Sequence, residues 1–477
     1  MIRFSKVIVV GGGSSGWSAA IYFKHKLRSL DVTLVESPTQ KRLGVGESTN
    51  TITRNFNNEI ELEEKEFLEK TTGSFKSAIE FVGFNRKDRV FYHPFGLPIE
   101  KDLEKYLFKN NFENLYYSYH VVNGSNFFDP KGSYAYHVDA DKYSEFLSKK
   151  AVDIGVKHIV GTVDNVLFDE MQNIKALRID NNQTLEGDLF IDCSGFKAVL
   201  MSEAYKEPFL SIVDKLPNDS AVATKIPYIN RSKEIRAVTT CWALDEGWVW
   251  IIPLKNWIGS GFVYSSKYTS KEAAEEKLRQ YWGIDRTKEL EVFHIKMRTG
   301  RHERAWVKNC VAIGPAYGFI EPLESTGISL TQHSIMTLAG LLSNGSYNDQ
   351  IIGQFNKYEA AVFDNTVDFI QAHYIWSQRK DSAYWQNLTR STYNIERLKE
   401  ILDQVKAKSY RLIQDKDTFY IRNNWNVILS GMGFFNENLK FTSSPQYRLE
   451  ELPIVSEYFD SLSNTFANYE ALTEGNL

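Results

Sequence analysis

The sequence of 477 residues predicts an α/β body built on a parallel βαβ unit, followed by a mostly helical C-terminal lobe. Three patterns lead to this fold class: a strand, glycine-rich turn, helix and strand within residues 7–36, short β-branched strands between residues 156 and 265, and helical spacing of apolar residues after Gly327. Because the chain exceeds the usual single-domain size, we expect a body over 1–345 with an inserted sheet region, and a helical lobe over 346–477.

The βαβ unit has predicted strands at Val7–Val10 and Val32–Glu36, joined by a predicted helix at Trp17–Leu27. The turn between the first strand and the helix reads Gly11-Gly12-Gly13-Ser14-Ser15-Gly16, which fits the pattern Gly-x-Gly-x-x-Gly. A turn of this kind can exist without a ligand, but its position between a strand and a helix favours dinucleotide binding.

Each position of the glycine pattern has a physical role in such a site. The first glycine permits the tight turn, the second lets the backbone approach a pyrophosphate, and the third allows close packing of the helix. Helix amides then face the phosphates, and a carboxylate at the end of the second strand accepts hydrogen bonds from ribose hydroxyls. The residues expected to bind the cofactor are therefore Gly11, Gly13, Ser14, Ser15, Gly16 and Glu36.

The remaining elements follow from periodicity and from the residues that begin and end them. We predict helices at Glu61–Lys70, at Asp141–Ile154 with Asp139 or Asp141 as the cap, at Ile328–Leu342 with an end at Gly345, and at Ile351–His373. The predicted strands are Phe75–Phe84, Val156–Val163, Asn173–Ile179, Gln183–Ile191, Ala237–Trp242, Trp248–Pro253 and Ser260–Ser265.

Composition excludes several classes of function. The net charge of −4 and the lack of a cluster of Lys and Arg with aromatic residues argue against nucleic acid as a partner. Cys193, Cys241 and Cys310 are far apart and form no Cys-x-x-Cys pair, so no metal site is expected. Residues 1–6 leave no room for a signal peptide, and no apolar run reaches the roughly 20 residues needed to span a bilayer. We therefore expect a cytoplasmic protein that does not associate with membranes.

Two further segments carry the functional interpretation. In Trp248-Val249-Trp250-Ile251-Ile252-Pro253, strand alternation places both indoles on one face, and Pro253 ends the pairing. Taken alone, such tryptophans are more often core or interface residues. The second segment is Glu321-Pro322-Leu323-Glu324-Ser325-Thr326-Gly327-Ile328, which leads into a predicted helix. Together with the glycine turn, these segments resemble the flavin-dependent halogenases of the tryptophan halogenase group.

The resemblance implies FAD and an FAD-binding fold of the glutathione reductase/monooxygenase type. Three more stretches are similar to flavin-contacting segments of this group: Gly44–Thr49, Asp188–Phe196 and Ala312–Gly314. No second glycine pattern for NADH is present, so the resemblance implies that a separate reductase supplies FADH2. It adds Gly46, Glu47, Gly314, Gly327 and Ile328 to the expected cofactor-binding residues.

The resemblance also assigns catalytic roles. Lys76 would hold or capture hypohalous acid, as a haloamine or through a hydrogen bond, and Glu324 would work beside it. Ser325 and Thr326 would hold the halide ion, which is chloride, bromide or iodide. Without the resemblance, Lys76 would be a surface residue and Glu324 a helix-capping carboxylate.

The substrate is expected to be an electron-rich aromatic compound, indole-like or phenolic. Trp248 and Trp250 would form the barrier between flavin and substrate, while His93, Phe95 and Trp425 would contact the substrate. The segment 425–433 departs from the family pattern, because Trp425 and Asn426 replace a tyrosine pair and the apolar Met432 replaces a glutamate. Free tryptophan is therefore doubtful as the substrate.

Other interpretations stay open at this point. A flavin monooxygenase would hydroxylate an aromatic compound directly, and a non-catalytic flavin-binding protein would bind the cofactor without turnover. The family resemblance further implies a homo-oligomer.

Overall fold

The computed structural model describes residues 2–39, 45–95, 127–128, 133–390, 398–401, 403, 419–433 and 467–468. Contacts divide the chain into two compact units. Unit 1 comprises Met1–Gly73, Val138–Val213 and Lys296–Asp364, and unit 2 comprises Ser74–His137, Asp214–Ile295 and Asn365–Leu477.

These units differ from the expected division between residues 345 and 346. Ala78–Val82 pairs in parallel with Val238–Leu244, which draws both segments of the expected body into a sheet of unit 2. The long helix Asp349–Ile375 begins in unit 1 and ends in unit 2. Each unit is therefore discontinuous in sequence.

Unit 1 is built on a six-stranded sheet that confirms the predicted βαβ unit. Its neighbouring strands are parallel except for the last, antiparallel pair. The central strands are buried along most of their length, as expected for a parallel sheet. In spatial order the strands are Lys157–Val160, Asp31–Glu36, Lys6–Val10, Leu189–Asp192, Cys310–Ala312 and Trp306–Val307.

Smaller strands complete unit 1. They are Ile2–Arg3 with Ser346–Tyr347, Val163–Phe168 with Ile174–Ile179 and Thr184–Glu186, Phe209–Ser211 with Gly300–His302 and Gly318–Phe319, and the short strand Glu47–Ser48.

Unit 2 contains a seven-stranded sheet. In spatial order its strands are Phe293–Lys296, Ser220–Ile226, Ile258–Tyr264, Gly247–Pro253, Val238–Leu244, Ala78–Val82 and Val90–Pro94. The other strand pairs are Ser74–Lys76 with Ala135–Val138, and Phe127–Phe128 with Ala467–Asn468. We call Ser74–Lys76 the lysine strand and Gly247–Pro253 the tryptophan strand.

The helices of the described residues include both long predicted helices in the C-terminal half. They are α1 (Ser14–Lys26), α2 (Thr51–Glu59), α3 (Glu64–Lys70), α4 (Ala140–Asp153), α5 (Arg231–Glu234), α6 (Lys271–Trp282), α7 (Ile284–Thr287), α8 (Thr326–Leu341), α9 (Asp349–Ile375), α10 (Ala383–Arg390) and α11 (Arg422–Gly431). Short 3₁₀ turns occupy Gly195–Lys197, Gly314–Ala316 and Leu323–Ser325, and a π-helical turn occupies Val199–Ala204. None of these described helices is both long and apolar enough to cross a membrane.

Caps explain where two helices begin. Asp139 caps α4 as predicted, because its carboxylate accepts hydrogen bonds from the amides of Asp141 and Lys142 at 2.9 and 3.0 Å. The predicted start of α3 at Glu61 was wrong. Glu61 has a left-handed backbone, with φ of 57°. The helix begins at Glu64 and is capped by Glu63.

Three predicted strands are each divided in two by contacts distant in sequence. Phe75–Phe84 is interrupted at Ser77, whose amide donates to Ala237 and whose carbonyl accepts from the amide of Phe95. Val156–Val163 and Gln183–Ile191 likewise divide between the six-stranded sheet and an antiparallel one. The other four predicted strands are confirmed to within two residues at each end.

Candidate active site

The glycine turn of unit 1 leaves one side of its backbone open. Gly11 has φ of 116°, which a side chain rarely adopts, and a Cβ there would overlap the carbonyl of Cys193. A Cβ on Gly16 would overlap the carbonyl oxygen of Gly11, whereas one on Gly13 would meet no atom within 4 Å. The turn is thus closely packed at its ends and accessible in the middle, where the start of α1 offers amides to a phosphate.

Glu36 lies beside this turn at the end of its strand. Its carboxylate packs against Gly12, and one carboxylate oxygen lies 3.2 Å from Nε2 of His158. The side chain of Glu36 is 19% exposed, so its oxygens can still be reached by a hydroxyl group. His158 was not identified from the sequence, because only the parallel pairing of two strands brings it to Glu36.

Gly314 comes close to the glycine turn from a distant part of unit 1. A Cβ on Gly314 would lie 2.6 Å from Oγ of Ser15 and 3.0 Å from Oγ1 of Thr331. Ile328 is buried in the first turn of α8. The turn, Gly314 and the beginning of α8 together fit an FAD, because they offer backbone donors and an open glycine to a pyrophosphate.

Gly46 and Glu47 precede a segment that lies against α8. Gly46 has a positive φ of 135°, and Glu47 begins a short strand with its side chain exposed. Ser325 donates a hydrogen bond of 2.9 Å from its hydroxyl to that of Ser48. This contact places the segment after Gly46 beside the start of α8.

The loop before α8 has an unusual backbone. Glu324 and Ser325 both have left-handed conformations, with φ of 69° and 58°, although neither is a glycine. Each such residue costs about 1–3 kcal/mol, and strain of this kind concentrates at functional sites. The side chains of Glu324, Ser325 and Thr326 are all buried.

This conformation shapes a potential anion site. Thr326 is right-handed, so the left-handed Ser325 followed by Thr326 turns successive amides toward one side. The amides of Thr326 and Gly327 begin α8 and have no acceptor within the helix. A Cβ on Gly327 would meet nothing within 4 Å, so the site is open.

Lys76 lies on the lysine strand with 0% of its surface exposed. The alternative of a solvated surface lysine is therefore wrong. Its ammonium nitrogen lies 5.0 Å from the centre of the Phe95 ring, which can stabilise a cation through its π face. Lysine is almost never fully buried unless it has a partner, so the burial of Lys76 makes it a candidate functional residue.

A hydrogen-bonded histidine lies on the same face as Lys76. Ser74 pairs with His137 in the lysine strand's ladder, and Ser74 is two residues from Lys76. The hydroxyl of Ser74 donates to the carbonyl of Pro253 and lies 3.1 Å from Nδ1 of His137. Oγ1 of Thr239 lies 2.9 Å from Nε2. We assign the proton to Nδ1, because Ser74 then accepts from it and Thr239 donates to Nε2.

His137 is consequently neutral. Burial, and secondly the charge of Lys76, hold the pKa of His137 well below its usual value. Sequence reasoning missed this residue. Its place between Tyr136 and Val138 in a short apolar strand could have indicated a buried histidine, but not its partners.

The tryptophan strand presents its two indoles on one face, as predicted. The ring centres of Trp248 and Trp250 are 6.5 Å apart, and the ring planes are inclined by 63°. Trp248 is buried and Trp250 half-buried, yet neither indole N–H has a hydrogen-bond partner. Gly261 on the neighbouring strand pairs with Trp250, and a Cβ there would overlap the indole.

A second aromatic group in unit 2 contains the predicted substrate residues His93 and Trp425. Nε2 of His93 lies 2.9 Å from Nδ2 of Asn424 on α11. Trp425, on the same helix, packs edge-to-face on Phe369 at 5.2 Å, and the ring of Phe369 also lies 5.9 Å from His93. Asn424 was not identified from the sequence, because its role depends on the position of α11. Met432 is buried, as an apolar residue should be.

The predicted site residues thus fall into two sets. Unit 1 holds the cofactor-binding and halide-binding residues together with Glu324, and unit 2 holds Lys76, both strand tryptophans, His93, Phe95 and Trp425. When bound, a flavin would contribute redox chemistry that none of these side chains can provide.

Known proteins are similar to this chain in both sequence and fold. The tryptophan halogenase family matches residues 6–444. Tryptophan 6-halogenase SttH of Streptomyces toxytricini is 36% identical over 420 residues, which are 80% of this chain and 80% of that protein. Tryptophan 7-halogenase RebH of Lentzea aerocolonigenes is 32% identical over 508 residues, covering 96% of this chain and 94% of that protein.

A solved structure extends the comparison to the whole chain. Xcc4156, a flavin-dependent halogenase from Xanthomonas campestris, has a TM-score of 0.89 at 27% identity and covers 99% of this chain and 98% of that chain. The predicted FAD-binding α/β fold and the predicted enzyme class are confirmed by these relatives. The chain therefore belongs to the tryptophan halogenase family of flavin-dependent halogenases.

Proposed function

We propose that the protein is an FADH2-dependent halogenase that forms hypohalous acid from oxygen and halide and transfers the halogen to an electron-rich aromatic substrate through Lys76 and Glu324. The complete burial of Lys76 against Phe95 is the observation that carries this proposal. Burying a lysine costs free energy that an apolar residue would not cost, which favours a functional role for Lys76.

Unit 1 binds the cofactor and the halide in this proposal. The glycine turn holds the pyrophosphate, Glu36 holds a ribose, and Gly46, Glu47, Gly314 and Ile328 contact the rest of the cofactor. Ser325, Thr326 and Gly327 hold the halide through the amides and hydroxyls at the start of α8. Bound FADH2, supplied by a separate reductase, provides the reducing equivalents for oxygen.

Lys76 directs the oxidant in this proposal. As an ammonium it donates a hydrogen bond to hypohalous acid. As a neutral amine it takes the halogen from hypohalous acid in exchange for an N–H hydrogen, which forms a haloamine and releases water. His137 stays neutral and adds no second positive charge beside it. Glu324 polarises the oxidant or accepts the proton that leaves the ring carbon.

Trp248 and Trp250 separate the flavin from the organic substrate, so that halogen rather than oxygen reaches the ring. His93 and Phe95 stack on the substrate, and Trp425 lines its pocket. We propose an indole-like or phenolic substrate other than free tryptophan, because the buried, apolar Met432 cannot bind the polar end of an amino acid. A homo-oligomeric state is also part of the proposal.

Mass spectrometry of the products tests this function. Indoles and phenols are incubated with the protein, FAD, a flavin reductase, NADH and bromide, and wild type is compared with Lys76→Ala. Catalase removes stray peroxide as a control. We expect a monobrominated product that requires Lys76. A product that is only hydroxylated would support a flavin monooxygenase, and flavin binding without any product would support a non-catalytic protein.

A further inference from the structure

A cavity in unit 1 is lined in part by Thr326 and Gly327, which are proposed to bind halide, and by Gly314, which is proposed to contact the cofactor. It has a volume of about 40 Å³, is lined by α8, α9 and the loop 314–320, and is partly open to solvent. Thr326, Gly327 and Glu359 line it together with apolar side chains such as Phe319, Leu330 and Phe363. A single water needs roughly 10–15 Å³ measured this way, so the cavity has room for more than one.

Three buried oxygens of residues that line this cavity have no hydrogen-bond partner. They are the hydroxyl of Tyr317, Oγ1 of Thr326 and Oε1 of Glu359, whose residues are 6%, 1% and 4% exposed. The other carboxylate oxygen of Glu359 accepts a hydrogen bond of 2.6 Å from the hydroxyl of Ser334. Because buried polar atoms are nearly always satisfied, ordered water is the occupant that fits these oxygens before halide binds to Thr326.

Glu359 is the group at this cavity that changes charge near neutral pH. Burial raises the pKa of its carboxyl to about 7, and the hydrogen bond from Ser334 opposes that rise. Tyr317 lines the cavity from the loop, and burial raises its pKa far above neutrality. On α8, burial lowers the pKa of His333, which adjoins Ser334. Beyond Tyr317, Arg301 forms an ion pair of 2.9 Å with Asp364.

We propose that this cavity is a hydrated proton site, in which Glu359 supplies, through ordered water and the hydroxyl of Thr326, the proton consumed when halide is oxidised. This inference rests on the proposed function. The overall balance is FADH2 + O2 + X⁻ + H⁺ → FAD + HOX + H2O, where oxygen is reduced and both flavin and halide are oxidised. One proton must therefore reach an oxygen atom while halide is oxidised, and Glu359 recovers it from solvent. The later transfer of halogen to the ring releases water and consumes no further proton.

The first test uses the protein without flavin. A protonated buried carboxyl has a C=O stretch separate from that of carboxylates, so infrared difference spectra can follow Glu359 as pH changes. We expect a band that titrates near pH 7, is lost in Glu359→Gln and titrates at higher pH in Ser334→Ala. Asp349→Asn, at an exposed carboxylate of the same helix, should leave the band unchanged. Desolvation also raises the pKa of the Glu47 carboxyl to about 7, so Glu47 contributes a band to both proteins. Identical difference spectra of wild type and Glu359→Gln would overturn the proposal.

The second test measures the formation of hypohalous acid from bromide against pH, with FAD and a reductase present. In wild type we expect the rate to fall as pH rises through about 7, because only protonated Glu359 donates. Glu359→Gln should lower the rate about tenfold and remove this pH dependence, whereas Ser334→Ala should move it to higher pH.

The outcomes separate the two proposals. If wild type forms no hypohalous acid at any pH, the proposed function fails. If wild type is active but Glu359→Gln keeps its rate and pH profile, the role of Glu359 is wrong while the halogenase function stands. Ser334→Ala retains the carboxylate, so its pH profile decides the question even if Glu359→Gln does not fold.

Discussion

At the scale of single residues, the loop before α8 combines backbone strain with the residues proposed to bind halide. Ser325 has a left-handed backbone, which costs about 1–3 kcal/mol in a residue other than glycine. Its hydroxyl donates a hydrogen bond to Ser48, so replacing Ser325 with glycine would relieve the strain but remove this contact. Neither feature can be read from the sequence, because a serine gives no sign of a positive φ.

We expect Ser325→Gly to relieve this strain, but the lost hydrogen bond to Ser48 offsets the gain, so the free energy of unfolding should change by less than about 1 kcal/mol. The loss of the hydroxyl should at the same time raise the bromide concentration needed for half-maximal halogenation. Lys308→Gly is the matched control, because Lys308 is exposed with φ of 55°. It should raise the free energy of unfolding by up to about 1 kcal/mol without any effect on the bromide dependence. Equal bromide dependence in both variants would contradict a role for Ser325 in halide binding.

Glu359 makes a second prediction at this scale. Its pKa is raised from 4.5 to about 7 in the folded protein, so the folded state favours the protonated form. The resulting stability is fully present below about pH 4.5 and is lost as pH rises through about 7, by up to about 3 kcal/mol. Glu359→Gln should not show this loss. Urea unfolding should therefore show that the free energy of unfolding of the variant, relative to wild type, is higher at about pH 8 than at about pH 5. A constant difference between the two proteins would contradict the raised pKa.

At the scale of elements, local patterns predicted some strands well and others poorly. Alternation placed Trp248 and Trp250 on one face correctly, because a period of two is a property of the strand itself. The interruption at Ser77 was missed, because it depends on Ala237 and Phe95, which are distant in sequence. The network around His137 was missed for the same reason.

The tryptophan strand depends on its neighbour for space. Because a Cβ on Gly261 would overlap both the Trp250 indole and the carbonyl of Val222, Gly261→Ala should lower the free energy of unfolding by about 1–3 kcal/mol. Displacement of the indole should also release more hypohalous acid for each halogenated product. Gly353→Ala is the control, since a Cβ there meets nothing within 4 Å and an alanine favours helix α9. A free energy of unfolding in Gly261→Ala equal to that of wild type would contradict this packing.

At the scale of the whole molecule, the residues proposed to bind FAD and those proposed to direct the halogen fall in different units. The fold class followed from the glycine turn and its flanking strands, but the composition of the units did not, since it depends on which distant strands pair.

Unit 1 carries every residue proposed to bind FAD. Gly13→Ala should therefore weaken FAD binding about tenfold without loss of stability, because its Cβ enters only the space meant for the cofactor. Lys76→Met should bind FAD with the affinity of wild type. Fluorescence titration with FAD measures the affinity of both variants. Equal affinity in both variants would contradict this division.

The central claim is that Lys76 directs hypohalous acid to the substrate, and the ratio of brominated product to free hypobromous acid measures it most directly. The ratio is determined for wild type and Lys76→Met in the presence of FAD, a reductase, bromide and an indole. Methionine keeps the volume and burial of the side chain but removes the nitrogen. We predict that Lys76→Met forms hypobromous acid at the wild-type rate and that its ratio falls at least about tenfold. An unchanged ratio in Lys76→Met would contradict the account.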